Sequence, residues 1–101
     1  MSLIDLLKTA TDLPAAWSSR ELARVGTACV KVLRMDELPL AEEAHPTTEA
    51  LIVLDGRLEL VVEGTEVPVG PGEMYVLPAG TKHAVSAGSG GTLMIVEVPE
   101  E

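Results

Sequence analysis

Glu43, His45, Glu49 and His83 are the side chains of this sequence whose types and spacing suit a divalent metal ion. Two imidazoles with two carboxylates accommodate Fe(II), Mn(II), Ni(II) or Zn(II) and leave coordination positions for water or a substrate. Successive side chains of a strand point to opposite faces. The odd-numbered Glu43, His45 and Glu49 therefore share a face if the chain is extended from Glu43 to Leu51. Pro46 biases His45 toward the extended conformation. His83 opens a different strand, which must lie alongside the first for the four to meet. Two alternatives stay open at this point. Glu43 can point away, leaving a triad of His45, Glu49 and His83, or the site can be empty.

The elements around these residues read mainly as strands. Ser2 to Ala10 is a candidate for one or two helical turns, with Ser2 as cap and Leu3, Leu6 and Leu7 on one face. Asp12-Leu13-Pro14 ends it, and Trp17 is expected to anchor this N-terminal arm on the body. Strands are expected at Leu22 to Val25 and Ala28 to Met35, followed by a loop over Asp36 to Leu40. Thr48 to Leu54 and Arg57 to Glu63 flank Asp55-Gly56, a two-residue hairpin signal. Further strands are expected at Thr65 to Val69, Glu73 to Leu77, Lys82 to Ala87 and Thr92 to Val98. Pro68 marks its strand as an edge. Gly88 to Gly91 reads as a flexible loop and Pro99-Glu100-Glu101 as a solvated tail. Short strands separated by Gly/Pro turns indicate an antiparallel sandwich or barrel.

Composition narrows the function. A chain of 101 residues is one domain. Its net charge of −9 repels phosphate backbones and anionic lipid, so neither nucleic acid nor membrane is an expected partner. No signal peptide or membrane-length apolar run is evident, and a cytoplasmic location is the expectation. Cys29 is the only cysteine and reads as an inert buried thiol. Leu51 to Leu54 and Leu93 to Val96 are apolar on both faces. One face of each can enter a core; the other needs cover, either from the arm or from a second copy in a homodimer. With only two aromatic residues, Trp17 and Tyr75, a stacking platform for sugars or nucleobases is disfavoured. An aliphatic pocket for a small, partly apolar ligand or substrate is expected instead.

The stretch from Gly72 through Pro78 and Gly80 to His83 resembles the second motif of the cupins, with Ala87 where that motif closes on asparagine. Glu43-Ala44-His45, Glu49 and Gly56 resemble the first motif, with gaps: Glu43 stands where a metal-binding histidine is usual, and Glu37 where the leading glycine is usual. The resemblance implies an all-β fold, an antiparallel double-stranded β-helix or jelly-roll barrel. Residues 21–101 would form that barrel and residues 1–20 the arm. It also implies a divalent metal held by Glu43, His45, Glu49 and His83. Similar cupins include dioxygenases, isomerases, epimerases and lyases acting on small organic acids or sugar derivatives. A non-catalytic binder or sensor, and a structural cupin with a vestigial site, are the other readings of the resemblance.

Overall fold

The structure is a computed structural model and describes residues 2–99. Met1 of the arm and Glu100-Glu101 of the expected tail lie outside the described residues. One short helix precedes eight strands: α1 (Leu6–Thr11), β1 (Arg20–Val25), β2 (Ala28–Met35), β3 (Leu40–Glu43), β4 (Glu49–Val62), β5 (Thr65–Val69), β6 (Met74–Leu77), β7 (His83–Val85) and β8 (Gly90–Glu97). Every strand pair is antiparallel. The strands form two faces joined through β4. One face runs β1-β2-β8-β4-β6, and the other has β3, β7 and β5 beside the second half of β4. This is the antiparallel barrel expected from the spacing of turns, in the jelly-roll form that the resemblance implies.

The expected hairpin at Asp55-Gly56 is not one. β4 runs through it as a single strand of 14 residues. A type I′ turn needs positive φ at both central residues, and here only Gly56 has it, at 77°. The register steps from Val53↔Leu93 to Asp55↔Thr92, so Leu54 is an inserted residue, a β-bulge. The insertion flips the inward parity: Glu49, Leu51 and Val53 are buried before it, Leu58 and Leu60 after it. One strand thereby supplies the core of both faces. A Cβ on Gly56 would lie 2.0 Å from the carbonyl oxygen of Gly90, so the corner requires glycine on steric grounds as well as for its φ. The stretch expected as a flexible loop is part of this corner. Gly90 and Gly91 open β8, Ser89 is buried, and the Thr92 N–H donates to Asp55 Oδ1 at 2.8 Å. The two-residue turn signal that does close a hairpin is Glu63-Gly64, with φ of 48° and 79° between β4 and β5. Among the described residues β5 pairs only with β4, which tolerates Pro68 at the edge.

The helix starts later than Ser2, because Asp5 is its cap: the Asp5 carboxylate accepts from the Lys8 N–H at 3.0 Å. α1 packs on β2 and β8, and Ala10 and Val32 are fully buried. Arg34 fastens the arm further. Its guanidinium donates to the carbonyls of Ala10, Thr11 and Leu13, the last at 2.6 Å. Cover on this outer face fades along one cross-strand row, Val32↔Met94↔Ile52↔Met74. Val32 is buried, Met94 and Ile52 are half-buried, and Met74 is 60% exposed. The arm thus covers the β2 side and leaves the β6 side open. Cys29 is buried and free, and burial pushes its thiol above the usual range, as an inert core thiol requires.

Candidate metal centre

Two strand pairings and one loop assemble the site. On one face, Glu43 of β3 stands directly opposite His83 of β7. Directly opposed residues of a ladder share a side, which is why Glu43 and His83 face the same site, His83 buried and Glu43 exposed at its rim. On the other face, Glu49 of β4 stands opposite Glu97 of β8. His45 lies in the β3–β4 connection. The chain there bends at Pro46-Thr47 and is not extended continuously to Leu51, so parity alone does not deliver His45. The turn after β6 holds it instead: the Gly80 N–H donates to the His45 carbonyl at 2.7 Å. Gly80 has φ 79°, and the turn thereby ties the second motif to the first.

One ligand atom from each of Glu43, His45 and His83 lies within 4.8 Å of the others. His45 Nε2 is 3.3 Å and His83 Nε2 is 3.8 Å from Glu43 Oε1. The two rings are tilted by 47° with centroids 5.4 Å apart. Among the described residues this is the group able to hold a metal ion. Glu49 Oε1 approaches from the opposite face, 3.7 Å from His83 Nε2. Of the four residues expected at the site, Glu43, His45 and His83 come together in this group, and Glu49 lies outside it, beside His83.

The tautomer of His83 follows from its neighbour. Nδ1 lies 3.0 Å from the Thr81 carbonyl oxygen, which can only accept, so Nδ1 carries the hydrogen. In the neutral ring Nε2 then presents its lone pair toward Glu43 and Glu49. An outer carbonyl that orients an imidazole in this way is a recurrent feature of metal-binding histidines.

Glu97 was not anticipated from the sequence. Its carboxyl lies beside that of Glu49 and pairs with Lys31 Nζ at 2.7 Å. Burial, followed by the nearby charge of Glu97 and a hydrogen bond that the protonated Glu49 carboxyl donates to it, raises the Glu49 carboxyl above the ordinary range; His45 and His83 pull the other way. The hydrogen bond that Lys31 donates to Glu97 holds its ammonium above the usual value. The signal for Glu97 was present in the alternation Leu93, Ile95, Glu97, but it becomes readable only once β8 is known to pair with β4.

Beneath these groups is a cavity of about 210 Å³. Its walls are mainly Leu33, Leu51, Leu58, Leu60, Leu93 and Ile95, and Trp17 and Ser19 of the N-terminal segment complete it. Trp17 also anchors the arm, as expected: its N–H donates to the Arg34 carbonyl at 2.8 Å and its indole N–H to Asp36 Oδ1 at 2.9 Å. It does so at φ 63°, which for a bulky residue costs on the order of 1–3 kcal/mol.

The cupin domain family, Cupin_2, matches residues 36–99. The chain belongs to the cupins. A cupin-2 domain containing protein from Shewanella frigidimarina is 26% identical, with a TM-score of 0.86 over 96% of this chain and 95% of that one. KdgF from Halomonas sp. is 19% identical with a TM-score of 0.71, covering 82% of this chain and 78% of that one. The DMSP lyase DddQ from Ruegeria pomeroyi is 24% identical with a TM-score of 0.64, covering 72% of this chain and 39% of that one. No curated protein matches the sequence. At these last two identities the likeness is one of fold. Among the described residues, no helix is long and apolar enough to cross a membrane.

Proposed function

We propose that this cupin binds one divalent metal ion through Glu43, His45 and His83, with Glu49 adjoining as a fourth ligand or as a proton carrier, and that it acts on a small organic molecule. The observation that carries the reading is the fixed orientation of His83: Thr81 takes the Nδ1 hydrogen and Nε2 faces the two carboxylates. The donor set of two nitrogens and one or two carboxylate oxygens fits Fe, Mn, Ni or Zn. A bound ion would supply Lewis-acid stabilisation of a substrate oxygen. The chain's own residues supply the rest. The aliphatic walls exclude water, and Glu49, with its raised carboxyl, can hold or return a proton beside the imidazoles. A lyase or isomerase type of reaction suits a proton-carrying carboxyl next to a metal, and a lyase is among the proteins of similar fold.

Titration with Co(II) tests the ligand set. One equivalent should produce visible absorption bands, and His83→Ala should abolish them. Identical bands in the variant would overturn the assignment.

A second reading, a non-catalytic small-molecule binder, is favoured by one observation: an exposed glutamate, Glu43, with its side chain 56% exposed, stands where a metal-binding histidine is usual in the family. Turnover of no substrate together with tight ligand binding would select it. We further propose a homodimer through the open β6 side, where Met74 and Val76 are 60% and 47% exposed. The location we propose is the cytoplasm, in keeping with the single free thiol.

A further inference from the structure

The cavity is completed by residues ahead of the span that the cupin family shares. Trp17 and Ser19 line it, whereas the family match begins at residue 36. Trp17 is the largest side chain in the lining and the sole tryptophan of the chain. Its position is fixed from two sides, by the Arg34 carbonyl and the Asp36 carboxylate. Its backbone is held in the left-handed region that a bulky residue rarely adopts. A wall fixed so firmly does not yield to a larger ligand. The cavity, at about 210 Å³, also falls below the roughly 300–1,000 Å³ of ordinary ligand pockets. In a space this small one indole decides what fits.

We propose that Trp17 is the specificity-determining residue of the cavity. It limits the length of the apolar part of a small ligand whose polar head meets Glu43, His45 and His83. The position of the head rests on the metal reading above; the length limit does not. The lining contains no lysine or arginine, so apart from the imidazoles of His45 and His83 an anionic group on the ligand finds its counter-charge in a bound ion. The class is therefore a compact molecule with an oxygen-bearing head and a short uncharged alkyl body.

A homologous series of alkyl hydroxamates, from acetohydroxamate through butyro- and hexanohydroxamate to octanohydroxamate, tests this. Affinities are measured by calorimetry on the Zn(II)-loaded protein, and by amide chemical shifts on the metal-free protein. Wild type should bind the short members and lose affinity sharply along the series. Trp17→Ala should move that cut-off to longer chains, gaining about 10–200-fold for each methylene newly admitted, with Zn(II) affinity unchanged. Trp17→Phe should lie between them. A thermal melt of each variant establishes folding; if the alanine variant does not fold, Trp17→Leu takes its place with the same expectation. The same cut-off in wild type and variant overturns the proposal, and so does absence of binding by every member to both forms. Failure of Zn(II) to bind wild type overturns only the metal reading, because the metal-free series still measures the cut-off.

Discussion

Glu43 reaches the site from β3 with its side chain 56% exposed, whereas Glu49 reaches it from β4 with its side chain 9% exposed. A charge on Glu43 keeps contact with water. Glu49 has exchanged that contact for protein, and burial and Glu97 push its carboxyl above the ordinary glutamic acid range. Two identical side chains beside the same imidazoles are thus prepared for different work. On the proposed reading Glu43 serves as a ligand and Glu49 as a proton carrier. Environment, more than residue type, divides such roles between neighbouring carboxyls.

The largest effect should come from leaving the two carboxylates without nitrogen partners. His45→Ala/His83→Ala should lower metal affinity by more than the about 10–100-fold that outer partners alone are worth. Calorimetric titration checks it, and unchanged affinity would mean that the carboxylates are not working with the imidazoles at all. Next, Glu43→Gln should weaken metal binding more than Glu49→Gln does. The reverse order in the same titration would break the comparison by making the buried carboxyl the principal ligand.

The third effect concerns pH. A carboxyl raised by folding binds its proton more tightly in the native state than in the unfolded chain. Stability of the metal-free protein therefore falls as pH rises from the ordinary glutamic acid value, about 4.3, through the raised value of Glu49. Glu49→Gln should lack that fall, so the variant should gain on wild type as pH approaches neutrality. Denaturant titrations in the presence of a chelator at several pH values measure this; parallel curves would show that Glu49 carries no such burden. The smallest effect should be that of Lys31→Met. It removes the partly exposed cation paired with Glu97 and should cost about 1 kcal/mol or less at neutral pH by the same titrations.

The same contrast shows what the sequence could disclose. Glu43, His45 and His83 are legible because motif spacing and turn glycines are local properties of the chain. The strands are legible for the same reason, since period-two alternation is written residue by residue. What escaped depends on pairing across the sheet. Asp55-Gly56 carries the local signal of a hairpin, yet its role as a corner is decided by Gly90, Gly91 and Thr92, far along the chain. Glu97 is an ordinary charged residue near the end of the last strand until β8 lies against β4 and sets it opposite Glu49. Trp17 was legible as an anchor but not as a wall, because the cavity it closes exists only after the barrel has formed.

On the proposed reading Glu43, His45 and His83 hold a divalent ion, and elemental analysis of protein purified without an affinity tag is the decisive check. Close to one Fe, Mn, Ni or Zn per chain is expected, lost in the Glu43→Gln/His83→Ala protein. Metal-free wild type that takes up none of these ions on titration would contradict it.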